Sequence, residues 1–123
     1  MEKEIEINGK VYVLKSTIKS EKTLAKNLQG KPYVIVRTYS AGVFAGYIDK
    51  RNVKEATILQ ARRLWYWEGA ASLSQLAIDG VLFPDKCKFP EEVSSISVTE
   101  VIEVLDVTEK ARLSIKSVPV WKK

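Results

Sequence analysis

Two runs, PYVIVRTY at 32–39 and VFAGYIDK at 43–50, are separated by Ser40-Ala41-Gly42 alone. This spacing constrains the fold more than any other feature of the chain. A three-residue loop ending in glycine is a common connection between antiparallel strands, so the two runs are read as a β-hairpin. Alternation in the first strand puts Ile35, Arg37 and Tyr39 on one face and Val34, Val36 and Thr38 on the other.

The remaining chain punctuates in the same short units. Residues 3–7 and 11–15 alternate around Asn8-Gly9, a second hairpin candidate. Ser20 is placed to cap a helix, SEKTLAKNLQ, that stops at Gly30. EATIL at 55–59 and RRLWYW at 62–67 read as strands from their β-branched and aromatic content, although ARRLWYW also fits a helix. Ser72 caps SLSQLAID, which Gly80 ends, and residues 81–92, with two prolines, read as loop. Residues 94–107 are rich in Val and Ile and give one or two strands. Thr108 caps EKARLSIKS ahead of Pro119. The expected fold class is α+β: a mainly antiparallel sheet of six or seven short strands with about three short helices. No repeat, low-complexity tract or linker interrupts the 123 residues, so a single domain over 1–123 is expected.

Composition narrows the chemistry. There is no histidine, which removes the commonest general base and the Ser-His-Asp and Cys-His sets. One cysteine, Cys87, makes neither an internal disulfide nor a thiolate cage. No apolar run approaches the ~20 residues of a membrane span. The charged, alternating start is unlike a signal peptide, so a cytoplasmic location is expected. The net charge of +5 favours anionic partners. Between residues 31 and 90 nine Lys and Arg face five Asp and Glu, so most of the excess sits in the middle of the chain.

Four features carry candidate chemistry. In VRTYSAGVFAG, Arg37 leads into a loop where Ser40 and Gly42 offer free N–H groups to a phosphate, and Gly42 and Gly46 admit a ligand or another backbone; a plain hairpin turn with one surface arginine is the other reading. In ARRLWYWEGAAS, Arg63, Trp65 and Trp67 share one strand face. Arginine beside tryptophan can grip a nucleotide, but the same residues serve as core or as an oligomer interface. Glu68 lacks a second matched carboxylate for acid–base work. In FPDKCKFP, Phe83 and Phe89 interleave with Lys86 and Lys88 as in base-stacking surfaces, or simply pin the loop to the core. Lys110 and Arg112 follow Thr108 at a helix start, where an anion is favoured, or form a solvated face. Val118, Val120 and Trp121 end the chain with apolar surface.

The strings IVRTYSAGVFAGYI, ARRLWYWEGAASLSQLAIDG, CKFP and DVTEKA together resemble a family of small bacteriophage proteins carried as a domain of unknown function, from about residue 33 to the end. That family is in turn similar to the Thoeris anti-defence sponges. These proteins sequester cyclic ADP-ribose-type signals of bacterial TIR enzymes, some also hold cyclic oligonucleotides, and they assemble as dimers or hexamers without cleaving their ligand. The resemblance implies a phage sponge acting in the host cytoplasm, not an enzyme, with no cofactor and no metal, as a homo-oligomer binding a cyclic nucleotide-type small molecule. Phe83, Trp65 and Trp67 are then the stacking candidates, and Arg112, Arg63 and Arg37 the phosphate partners, on chemistry alone. Two other readings stand beside it. One is a single-stranded nucleic-acid-binding accessory protein. The other is a protein-interaction inhibitor of a host factor acting through the Trp-rich strand.

Overall fold

The computed structural model describes residues 24–27 and 30–122. The hairpin expected at 3–15 lies outside them. Six strands and two α-helices follow in the order β1 (Lys26–Asn27), β2 (Lys31–Thr38), β3 (Val43–Asn52), β4 (Glu55–Arg63), α1 (Leu73–Asp79), β5 (Val93–Val98), β6 (Val101–Asp106) and α2 (Glu109–Ser117). A 3-10 turn, Pro84–Lys86, interrupts the loop before β5. All strand pairing is antiparallel.

The hairpin read from SAG is β2–β3, with Tyr33 opposite Tyr47 and Arg37 opposite Val43. β4 adds to β3 and β5 to β4, while β6 returns to the other side of β2. Only Thr99 and Glu100 separate β5 from β6, yet the two strands lie at opposite ends of this path. The sheet must therefore curl until its ends approach, as in small barrels. At the closing point Val101 donates to the Lys54 carbonyl (2.9 Å) and Tyr39 to that of Glu100 (3.0 Å).

The curl gives the sheet two cores. Inside it, all five long strands contribute: Val34 and Val36, Phe44, Ala56 and Ile58, Val98, and Val101. The outer face of β2 and β3, with Tyr33, Ile35, Ala45 and Tyr47, is covered by Leu76 and Ala77 of α1 and Ala111 and Ile115 of α2. Tyr33 and Tyr47 meet edge to face there, their ring centroids 4.8 Å apart.

Both helices have the predicted caps. Ser72 Oγ accepts from Gln75 N and Thr108 Oγ1 from Ala111 N, and Gly80, at φ +79°, ends α1. The third expected helix, SEKTLAKNLQ, is corrected over its described part. Leu24 bridges Thr108, and Lys26–Asn27 pair with Lys31 and Pro32. The cause is tertiary. Buried Ala25 donates to the Val107 carbonyl (2.8 Å) and accepts from Tyr33 N (3.0 Å), so pairing on both sides outweighs local helix propensity. The helices therefore number two, plus the 3-10 turn, among the described residues.

The two strands expected at 55–59 and 62–67 are one. β4 runs through Gln60, whose φ of +50° marks a bulge, and stops at Arg63. Leu64–Trp67 leave the sheet, and Tyr66 bridges Lys88 instead. No helix among the described residues is long and apolar enough to cross a membrane.

Candidate functional site

The β2–β3 turn gathers four of the nine sequence candidates. Gly42 has φ +110°, the left-handed region that suits glycine. Arg63 reaches over from the end of β4: its Nη1 donates to the Ala41 carbonyl at 2.6 Å, and its guanidinium lies 4.5 Å from the Phe44 ring centroid. Arg37 Nε donates to Glu103 Oε1 at 2.7 Å, and Ser40 Oγ bonds Glu100 Oε1 at 3.1 Å. β6 and the turn before it thus bring two carboxylates to this end of the sheet. Its two arginines already have partners there.

A second group forms where the chain leaves β4. Tyr66 and Lys88 bridge each other, Phe89 bridges Val120, and Trp121 N donates to the Phe89 carbonyl at 3.0 Å. Three segments distant in sequence thus lie side by side. Trp65, Tyr66, Phe83 and Trp121 are all exposed, Trp65 by 65%. The Lys88 ammonium lies 5.7 Å from the Tyr66 ring centroid and 5.6 Å from that of Trp121, between two exposed aromatic rings. Lys86 Nζ lies 5.5 Å from the Phe83 ring. Trp67 turns the other way and packs on the outer core. Of the two phenylalanines in FPDKCKFP, Phe89 is the anchor, fully buried, and Phe83 is exposed.

The same loop fixes Glu68 and Cys87. Tyr66 Oη donates to Glu68 Oε2 at 2.7 Å, which raises the phenol's pKa above its ordinary value. Burial pushes the Cys87 thiol up, so it stays protonated and unreactive near neutrality.

Lys110 and Arg112 stand apart at the start of α2. Thr108 Oγ1 donates to the Ile78 carbonyl (2.6 Å) and Lys110 pairs with Asp79 (3.8 Å), so this helix start is docked on the end of α1. Arg112 is largely buried, held by both Glu109 oxygens (2.5 and 3.0 Å) and by Tyr47 Oη (3.3 Å). Hydrogen bonding to Arg112 holds the Glu109 carboxyl below its ordinary value of 4.5. Its folded-state pKa being depressed, the pair stabilises the fold above the unfolded value. That contribution is lost as pH falls below about 4.5 through the folded value. Thermal melts between about pH 3 and pH 6 should show it, and Glu109→Gln should flatten the acid limb. An unchanged limb would remove the pair from the acid response.

The residue that sequence reasoning passed over is Arg62. It is 5% exposed and spends its guanidinium on backbone carbonyls: Pro90 (3.0 Å), Phe89 (3.1 Å), Ile115 (2.9 Å) and Val118 (2.7 Å). Two of these carbonyls close the C-terminal end of α2, where a cation is favoured. Burial lowers its pKa, yet a guanidinium stays charged.

Three surface clefts are formed by described residues. One of about 540 Å³ is lined by Lys50, Arg51, Thr57, Ser97 and Thr99 among others. One of about 390 Å³ lies between Tyr39, Lys54 and Ile102. A third, about 360 Å³, lies over Arg62 and Lys116. None of the nine sequence candidates lines any of the three. Among the described residues no group of three His, Cys, Asp or Glu side chains is placed to hold a metal ion.

Neither the curated proteins nor the solved structures contain a match. The family model described as a domain of unknown function, DUF6948, matches residues 31–115, from the first residue of β2 to Ile115 in α2. That span takes in β2 to β6, α1 and most of α2, and the chain belongs to the DUF6948 family.

Proposed function

We propose that this chain is a binding protein without turnover, which sequesters a nucleotide-type anion of the cyclic ADP-ribose kind, as a phage anti-defence sponge does. The observation that carries the reading is the Lys88 ammonium set between the exposed rings of Tyr66 and Trp121. A base that enters there stacks on a ring, and its phosphate meets Lys88. Trp65 and Phe83 offer further open rings near the same segment. The chain's strings resemble the phage family, and the kinship expected between that family and the sponges supports the same class of ligand. The missing histidine fits a site that binds and holds. In this reading a homo-oligomer closes the exposed face by bringing a second copy over it.

The test is retention of ligand. Protein is incubated with cyclic ADP-ribose isomers, separated from free ligand, then heated, and the released compound is identified by mass spectrometry. Intact ligand in stoichiometric amount is expected. No depletion, or release of an altered product, overturns the proposal. Tyr66→Ala should weaken retention roughly ten- to hundredfold, the loss of one stacking contact worth ~1–3 kcal/mol.

A second reading has its own observation. Lys50, Arg51, Lys54 and the exposed Tyr39 ring border the two clefts at the closing end of the sheet, which suits a single-stranded nucleic acid. Binding of oligonucleotides that falls steeply with salt, and that Lys50→Ala with Arg51→Ala abolishes, would favour it over the sponge.

A further inference from the structure

The sheet ends at β5 with one side open. Among the described residues its one ladder partner is β4, and no backbone group of Val93–Val98 bonds elsewhere. Alternate N–H and C=O groups along six residues therefore face outward. Proteins ordinarily blunt such an edge with lysine, proline, a bulge or brevity. β5 has none of these. VSSISV contains neither charge nor proline, its register against β4 is unbroken, and Val93, Ser94, Ser95 and Ser97 are exposed. The opposite end of the sheet is different. β6 carries Glu103 and Asp106, and its pairing with β2 shifts register between Arg37 and Thr38.

We propose that β5 pairs antiparallel with β5 of a second copy of this chain across a two-fold axis, joining two curled sheets edge to edge. A two-fold contact places the same patch on both sides, and VSSISV offers it only aliphatic and hydroxyl side chains. Two copies each carrying +5 meet where neither has charge.

The register follows from two constraints. Residues opposite one another must face the same side of the joined sheet, and residues whose N–H and C=O point outward must meet others of that set. The axis therefore passes through a residue opposite its own copy, not between neighbours. Ser95 and Ile96 are the central choices. Centred on Ile96, Glu92 lies opposite Glu100 of the second copy, and like charges directly opposed are destabilising. Centred on Ser95, Ser95 meets itself, Ser94 lies opposite Ile96, Val93 opposite Ser97 and Glu92 opposite Val98. No like charges then oppose one another, and the Ser95 register is assigned.

The proposal does not rest on the ligand reading, since its test contains no ligand. In a Cys87→Ser background, which removes the one native thiol, Ser95→Cys and Ser97→Cys are each oxidised at low micromolar protein. Opposed Cα atoms roughly 4.5–5.5 Å apart permit a disulfide. Ser95→Cys should cross-link to a dimer, while Ser97→Cys, opposite Val93, should not. By light scattering the unmodified chain should have the dimer mass. Ser95→Lys, which sets two ammonium groups on the axis, should weaken association roughly a hundredfold with unchanged circular dichroism. A monomer at all concentrations, equal cross-linking at both positions, or a dimer indifferent to Ser95→Lys overturns the proposal.

Discussion

Replacing Arg62 by methionine should destabilise the fold by about 3–4 kcal/mol, because buried carbonyls left without a donor cost ~1–3 kcal/mol each and water regains only part of that. The four acceptors belong to three parts of the chain: the segment before β5, the last turn of α2, and the residue that caps it. Arg62 is therefore the tie between the end of β4 and everything packed on the outer face. Its ring contact with Phe89, 5.5 Å from guanidinium to centroid, is lost as well. Lysine keeps the charge but not the planar fork, so Arg62→Lys should recover only a minor part. The measurement is urea unfolding, where a typical slope of ~1–3 kcal/mol per molar puts the midpoint shift at about 1–4 M. Arg63→Met serves as the contrast: Arg63 makes one carbonyl bond at the exposed turn, and its loss should cost about 1 kcal/mol or less. Equal effects at the two positions would refute this division of labour.

Gly46→Ala should cost about 2–3 kcal/mol, the upper part of the range for overpacking a filled site. A Cβ at Gly46 would lie 2.5 Å from Ile58 Cγ2 and 2.7 Å from the Leu59 carbonyl oxygen. The second of these is backbone and cannot rotate away. Gly46 is not among the positive-φ glycines, so the cost is one of space, not of conformation. The cause is the bulge in β4 at Gln60, which interrupts the register opposite Gly46, between Ala45 and Tyr47, and presses the two backbones together. Thermal unfolding should show a fall on the order of 10 °C. A shift of less than about 2 °C would mean that β4 moves aside freely. Of the two roles open to this glycine in the sequence, admitting a ligand or admitting another backbone, the structure gives it the second.

These residues show where sequence reasoning reached and where it stopped. SAG between two β-type runs, Ser72 before LSQLAID with Gly80 after it, and Thr108 before EKARLSIKS each signal through neighbours within four positions. The hairpin and both capped helices were legible for that reason. Residues 24–27 misled because their helix-compatible letters are overruled by Val107 and Tyr33. The candidate site divides the same way. Alternation along ARRLWYW separates Arg62 from Arg63, but local pattern cannot say which of the two is buried. The acceptors that decide it lie 27 to 56 positions away. Likewise Lys88, Tyr66 and Trp121 meet only because three segments align.

By itself, then, the sequence determined the chemistry on hand and the local units. It gave no histidine, one thiol, an excess of cations in the middle of the chain, short antiparallel strands and two well-capped helices. Tertiary structure alone decided which cations are free. Closing the sheet on itself and laying α1 and α2 over its outer face brought carbonyls and carboxylates onto Arg37, Arg62, Arg63 and Arg112. It left Lys88 between open rings and the uncharged edge of β5 facing out. The physical reason is range. Turns and caps are settled by bonds between near neighbours, whereas the burial and pairing of a charge depend on groups that only the completed fold brings within reach.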